Sequence, residues 1–164
     1  MVAKGLFISK RARPNIQPMI AGLCTRVKEP DETDWSKLTR LMKYLNGTRK
    51  RKLTLSADDL RVIKWHVDMA FAVHPDFKSH TGAAMTMGLG SPINISRKQK
   101  LNTQSSTESE LVGVDDASVM ILWTKSFMEV QGHQIEKNIL HQDNKSAILL
   151  KMNGGECWQM FMCT

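Results

Sequence analysis

Residues 63–71, near the middle of the chain, constrain the fold most, because a large apolar residue occupies every second position there. A period of two is typical of a β-strand that buries one face. One of its polar positions is Asp68, although aspartate is disfavoured inside strands. The stretch predicts a strand whose buried side consists of Ile63, Trp65, Val67, Met69 and Phe71.

Further strand and helix patterns follow in an order that is typical of α/β domains. Residues 53–99 predict an antiparallel meander of three strands, separated by loops rich in glycine, proline and polar residues. The period then changes to that of a helix over 106–131, with Ser105 as its N-cap. A strand over 137–142 and a short helix over 144–152 come next, so the predicted class is α/β.

The first third of the chain has a helical pattern instead. One helix is predicted over 13–28, and a second runs from an N-cap at Asp31 to a stop signal at Asn46-Gly47. We expect these two helices to pack as a helical hairpin that precedes the sheet. A basic run over 48–52 is expected to be a solvated loop, with a dedicated binding patch as the alternative. It marks a change in composition, and we place a domain boundary near residue 52. The apolar face predicted for the second helix consists of Trp35, Leu38, Met42 and Leu45.

The balance of charge favours a polyanionic partner. The 164 residues include 23 lysines and arginines against 16 aspartates and glutamates, which gives a net charge of +7. Nucleic acid is the first candidate, although a basic protein without such a partner has the same composition. The three cysteines lack CxxC spacing and indicate neither a zinc site nor a disulfide framework. With no signal peptide and no apolar run of membrane-spanning length, we expect an intracellular, cytoplasmic protein without a membrane partner.

Two glutamates at the start of the long predicted helix have different surroundings. Glu108 stands three residues after Ser105, which is the position of the acid in a capping box. Glu110 shares a helix face with Val114 and Ala117, so we expect it on the buried stripe. Capping therefore explains Glu108 alone, and a buried carboxylate is costly unless it is paired or binds a cation.

Two other acids lie where the predicted sheet ends. Asp68 belongs to the alternating strand, and Asp143 follows the strand over 137–142, at the edge where α/β sheets place their sites. Asp143 also has a simpler role available, as the N-cap of the helix over 144–152. If Asp68, Glu110 and Asp143 converge, they suit a hard divalent cation, chiefly Mg²⁺ or Mn²⁺. Two such ions close together activate water and stabilise the leaving oxygen in phosphodiester cleavage.

Four segments of the chain together identify a family resemblance, because their order and spacing are more specific than any one segment alone. They are "SRKQKLNTQSSTESELVGVDDA", "HVDMAFAVHPDFKSHTG", "LHQDNKSAILL" and "RARPNIQPMIAGLCTRVKEPDETDWSKLTRLMKYLNGT". The first three resemble the "SxKQ…SSTEAEY" segment, the first active-site strand and the third-acid segment of the RNase H domain in copia-type retrotransposon polyproteins. The fourth resembles the end of the reverse transcriptase region in the same polyproteins.

The resemblance implies an RNase H-like mixed sheet, with an antiparallel three-strand meander, a parallel strand and flanking helices. By their positions in the motifs, Asp68, Glu110 and Asp143 resemble three of the four carboxylates that bind Mg²⁺ or Mn²⁺ in that family. The activity implied is hydrolysis of RNA in RNA–DNA hybrids, with the hybrid or another nucleic acid as partner. Lys98 and Lys100 are candidate phosphate contacts, and solvated lysines at a strand end are an equally good interpretation.

The resemblance also implies an organisation for the chain. Residues 1–52 are expected to be a helical remnant of the reverse transcriptase thumb or connection region, and residues 53–153 a partial RNase H-like domain. Residues 154–164 are expected to be a divergent tail, with the domain incomplete at its C-terminus. The paired-aspartate motif of a polymerase palm has no counterpart, so we do not expect reverse transcription from this chain alone.

The family's fourth acid has no counterpart in the sequence either. We therefore expect weak or no nuclease activity, and the strand over 137–142 as an exposed sheet edge. The expected protein is a fragment of a retrotransposon polyprotein that acts in virus-like particles with the rest of that polyprotein. The alternatives are a non-catalytic nucleic-acid-binding module and a non-functional remnant of a mobile element.

Overall fold

The computed structural model describes residues 1–153 and divides the chain into two compact units. The first unit comprises Met1–Thr54, and the second begins at Leu55. The divergent tail predicted over 154–164 lies outside the described residues. Within the described part of the chain, no helix has the length and apolar character needed to cross a membrane.

Three helices and one short turn build the first unit: α1 (Val2–Arg11), a 3₁₀ turn (Pro14–Ile16), α2 (Gln17–Thr25) and α3 (Glu32–Gly47). The predicted hairpin is present as α2 and α3. The sequence pattern did not indicate α1, which carries the poor helix former Gly5. Gly5 lies against α2, and a Cβ atom at this position would collide with Ile20 Cδ1. The buried core of the unit consists of Ile16, Ile20, Leu23 and Leu41.

Two details predicted for this unit were wrong. The helix predicted over 13–28 begins as the 3₁₀ turn and ends at Thr25. In α3, Trp35 and Met42 are exposed, and the neighbouring Leu41 is buried instead. The apolar residues of α3 cover one broad arc, and Leu38 and Leu45 belong to both the predicted and the observed stripe, so packing against the other helices decides which side of the arc is buried.

The second unit is a mixed sheet with a long helix. Its strands are β1 (Ser56–Ala57), β2 (Val62–Ala70), β3 (His80–Thr86), β4 (Gly88–Leu89), β5 (Ile93–Lys98) and β6 (Lys137–His141), and its helices are α4 (Ser106–Val130) and α5 (Lys145–Asn153). The main sheet has the order β5-β3-β2-β6, and β1 pairs with β4 in a separate two-stranded ladder. The pairs β2–β3 and β3–β5 are antiparallel, whereas β6 runs parallel to β2.

The predicted α/β class, the three-strand meander and the parallel strand are confirmed, and the architecture is consistent with an RNase H-like fold. The first strand of the meander is shorter than predicted, because it begins at Val62 rather than at residue 53. Within the described chain, β6 lies at an edge of the sheet, as expected.

The core of the second unit lies between the sheet and α4. The burial of β2 alternates as predicted, although Phe71 lies beyond the end of the strand and is exposed. The stripe predicted on α4 is also confirmed. The buried side chains at this interface include Ile63, Trp65, Val67, Val114, Ala117, Ile121 and Leu140.

The N-terminus of α4 is capped, but by half of the predicted capping box. Ser105 Oγ accepts a hydrogen bond from the Glu108 N–H at 3.1 Å. The Glu108 carboxylate accepts from the Gln104 N–H at 2.7 Å rather than from that of Ser105. Glu108 is exposed and its role is local, as predicted.

Replacing Ser105 with alanine should therefore loosen the first turn of α4. We expect a loss of about 1 kcal/mol, because an N–H of the first turn loses its acceptor. Faster hydrogen exchange at the Glu108 amide would report this loss. Ser105→Asp retains a cap acceptor and should exchange like the wild type, whereas equal exchange in Ser105→Ala would contradict the assignment.

Candidate metal centre

The parallel pairing of β2 and β6 places two of the predicted acids side by side. The last paired residues are His66 and His141, whose rings stack with centroids 4.5 Å apart. Asp68 and Asp143 each lie two residues after these histidines, in the direction of the strands. Because both strands run the same way, these residues emerge at one edge of the sheet.

The third acid reaches the same edge from the helix. Glu110 lies in the second turn of α4 and is only 8% exposed, whereas Asp68 and Asp143 are exposed. One oxygen from each of the three carboxylates lies within 4.8 Å of one from each of the others. The structure thus brings together the three residues that the sequence selected. We call this place, defined by Asp68, Glu110 and Asp143, the acidic edge.

The acidic edge has an unbalanced negative charge. None of its three carboxylates forms an ion pair with a lysine, arginine or histidine of residues 1–150, the part of the chain whose side chains are described. Burial raises the pKa of Glu110, the hydrogen bond from Gln142 opposes the rise, and the charges of Asp143 and Asp68 add to it. Carboxylate oxygens that no basic side chain neutralises are the ligands that hard divalent ions prefer. The residues present therefore fit Mg²⁺ or Mn²⁺.

Gln142 holds the acidic edge in shape, and sequence reasoning missed it. Its side chain is 2% exposed, and its Nε2 donates to Glu110 Oε2 at 3.0 Å. Its Oε1 accepts from the backbone N–H groups of Asp143 at 2.7 Å and of Asn144 at 3.2 Å. One buried amide therefore fixes both a carboxylate of α4 and the backbone that carries Asp143.

Asp143 is not the N-cap of α5, so its simpler role is excluded. The cap is Asn144, whose Oδ1 accepts from the Ala147 N–H at 3.0 Å. Because the neighbouring residue supplies the cap, the Asp143 carboxylate stays available at the acidic edge.

A second buried glutamine ties the strands to the start of α4. Gln99 is 1% exposed, and its Nε2 donates to Thr81 Oγ1 at 3.1 Å and to the Ser109 carbonyl at 2.9 Å. Ser109 is the residue before Glu110, and its hydroxyl contacts Met69 Sδ at 2.9 Å. Gln99 therefore connects β3 to the helix turn that carries Glu110.

The two lysines predicted as phosphate contacts have different surroundings. Lys98 Nζ forms an ion pair with Asp76 Oδ2 at 2.6 Å, and its side chain is 31% exposed. Phosphate contact and a solvated strand-end lysine both stay open as interpretations of Lys98. Lys100 is exposed two residues beyond. Lys98 stands opposite His80 in the β3–β5 ladder, at the end of the sheet where the acidic edge lies.

The fold and the acidic edge together define an α/β chain of RNase H-like architecture with a candidate metal centre. No family model matches the chain, and no solved structure matches it significantly. Over 144 residues the chain is 28% identical to the Retrovirus-related Pol polyprotein from transposon RE2 of Arabidopsis thaliana. The match covers 86% of this chain and 10% of that polyprotein. The predicted resemblance to copia-type retrotransposon polyproteins is thereby confirmed: this chain is similar to a segment of a Pol polyprotein.

Proposed function

We propose that the second unit carries an RNase H-type site, which hydrolyses RNA in RNA–DNA hybrids weakly with Mg²⁺ or Mn²⁺. The observation that carries the proposal is the acidic edge, where carboxylates from β2, α4 and the β6–α5 connection meet within 4.8 Å. The similarity to a Pol polyprotein segment and the net charge of +7 support a nucleic-acid substrate.

The residues of the chain have distinct parts in this proposal. Asp68 and Asp143 are exposed and face the side from which a phosphodiester would approach, while Gln142 holds the buried Glu110 in one orientation. Lys100 would contact a phosphate beside the site, and Lys98 could do so after leaving Asp76.

The reaction is a hydrolysis. An oxygen atom of water bonds to phosphorus, the bond from phosphorus to the 3′ oxygen breaks, and the 3′ oxygen takes up a proton. When bound, the divalent cation would supply an activated water and stabilise the charge on the leaving oxygen.

Cleavage of a labelled RNA–DNA hybrid in Mn²⁺ tests the proposal. We expect slow cleavage of the RNA strand by the wild type, in keeping with the weak activity expected from the sequence, and none by Asp68→Asn, which loses a carboxylate of the acidic edge. The matched control is Asp115→Asn, because Asp115 is an exposed aspartate on α4 outside the site. It should cleave like the wild type.

Two results would overturn the proposed activity. One is the absence of metal-dependent cleavage, and the other is cleavage that persists in Asp68→Asn. Binding of the hybrid without cleavage would instead support the non-catalytic nucleic-acid-binding alternative.

A further inference from the structure

The loop that follows β2 lies beside the acidic edge. It covers residues 71–79 and begins three residues after Asp68. Ala70 and His80, which flank it, are paired with each other, and His80 is paired with Lys98 at the end of β5. We call this segment the 71–79 loop.

Backbone hydrogen bonds fix the shape of the 71–79 loop. The His74 N–H donates to the Lys78 carbonyl at 3.1 Å, and the Phe77 N–H donates to the His74 carbonyl at 2.8 Å. Ser79, which is completely buried, accepts from the Ala72 N–H at 3.1 Å through its hydroxyl. The loop is thus closed on itself at its tip and anchored at its base.

Side chains tie the same loop to the sheet. His74 Nε2 and His80 Nδ1 are 3.0 Å apart, and His80 Nε2 lies 2.8 Å from Ser96 Oγ. On the other side, the ion pair with Lys98 holds Asp76 at 2.6 Å. Together these contacts connect the loop to β3 and to β5, so its tip is held in a defined position.

This fixed tip presents an aromatic side chain to the solvent. Phe77 is 75% exposed, and its φ of 57° lies in the left-handed region that L-residues with large side chains rarely adopt. Ala72 in the same loop has a φ of 51°. Strained residues of this kind cluster at ligand-binding sites, where the surrounding structure holds them in place. Val73, another loop residue, is 58% exposed.

The charges around the tip indicate a polyanion rather than an apolar partner. Lys78 belongs to the loop, and Lys100 lies just beyond the end of β5 beside it. The charge of Lys98 is paired with Asp76, so Lys78 and Lys100 are the lysines available to a polyanion here. An RNA–DNA hybrid has A-form geometry with a wide, shallow minor groove, and the C–H faces of its sugars lie between successive phosphates. A rigid ring flanked by lysines matches that alternation of apolar and anionic groups.

We propose that Phe77 is a substrate contact that packs its ring against a sugar in the minor groove of the hybrid, next to the acidic edge. This inference rests on the proposed function, because it takes the hybrid as the substrate. Phe77 would position the strand, Lys100 would hold a neighbouring phosphate, and the carboxylates would lie along the same strand.

The test measures binding of a fluorescein-labelled RNA–DNA hybrid by anisotropy in EDTA, where no cleavage occurs. Phe77→Asn removes the ring, and asparagine tolerates a left-handed φ, so the loop keeps its backbone. We expect binding about tenfold weaker, the loss typical of one buried aromatic anchor. Phe77→Trp, which keeps an aromatic ring, should bind like the wild type. The matched control is Phe7→Asn, since Phe7 is 67% exposed in the first unit.

The salt dependence separates an apolar contact from an electrostatic one. Phe77→Asn should leave the slope of log affinity against log salt unchanged, because no counterion is released at a ring. Lys100→Ala should reduce that slope by about one. Unchanged affinity in Phe77→Asn, or an equal loss in Phe7→Asn, would overturn the inference.

These outcomes are distinguishable from failure of the proposed function. If the wild type cleaves the hybrid and Phe77→Asn binds it normally, only the role of Phe77 is wrong. If the wild type neither binds nor cleaves the hybrid, both the role of Phe77 and the proposed activity are overturned.

Discussion

Replacing Glu110 with glutamine is expected to abolish Mn²⁺ binding and, at the same time, to stabilise the metal-free protein at neutral pH. The carboxylate is 8% exposed and lies within 4.8 Å of oxygens of two other acids. Glutamine removes the buried charge and the repulsion, yet keeps an oxygen that can accept from Gln142. We expect a gain of about 1 kcal/mol in the free energy of unfolding, the scale on which one perturbed carboxyl acts.

This stability gain depends on pH in a defined direction. The pKa of Glu110 is raised in the folded state, mainly by burial, so the folded protein binds this proton more tightly than the unfolded chain does. The resulting contribution is complete below the unfolded pKa and is lost as the pH rises through the raised value. The advantage of Glu110→Gln is therefore absent in acid and appears as the pH approaches neutrality.

Isothermal titration of Mn²⁺ and urea unfolding at acid and neutral pH measure both effects. Glu108→Gln is the matched control, because Glu108 is an exposed glutamate two residues earlier on the same helix. It should bind Mn²⁺ like the wild type. Mn²⁺ binding by Glu110→Gln, or a loss of stability at neutral pH, would contradict the assignment of Glu110 to a metal centre.

Replacing Gln142 with leucine should weaken Mn²⁺ binding by about 10- to 100-fold, although Gln142 is not one of the proposed ligands. Leucine cannot donate to Glu110, and it leaves the N–H groups of Asp143 and Asn144 without their acceptor. The carboxylates would then lose the orientation that brings them together. Each buried N–H left unpaired also costs about 1–3 kcal/mol, so the variant should be less stable.

The control for this substitution is Gln134→Leu, which makes the same chemical change at an exposed position. Titration of Mn²⁺ into both variants, with hydrogen exchange to show that Gln142→Leu remains folded, completes the experiment. If folded Gln142→Leu binds Mn²⁺ as tightly as the wild type, Gln142 does not orient the site.

Much of the second unit was predictable because its local signals agree with its packing. The alternation along β2 and the apolar stripe of α4 each report one buried face, and Ser105 marks where the helix begins. The first unit was harder to predict, because the apolar arc of α3 is broader than the face that it buries and Gly5 weakens the helical signal of α1. In such cases only contacts between distant segments select the buried side.

The three acids of the site could be selected from the sequence because each stands where a carboxylate is costly or at an element end. Their partners could not be selected in this way. Gln99 and Gln142 fall on the inward side of their strands, but so does Arg97, which is exposed. The alternation along a strand shows which face of the sheet a side chain points to, but it does not show whether another element covers that side chain. The Asp76–Lys98 ion pair joins a loop to a strand, and no local sequence pattern predicts a pair between residues so far apart.

The parallel pairing of β2 with β6 means that the acidic edge forms only when two segments far apart in the sequence meet. Arg61 and Glu136, which form an ion pair where the two strands begin, are 75 residues apart in the chain. Closing so long a segment is a slow, non-local event in folding, whereas α4 can form from near neighbours. Until β6 reaches β2, Glu110 has neither Gln142 nor Asp143 beside it. The rate of Mn²⁺ uptake during refolding should therefore report the rate at which β6 pairs with β2.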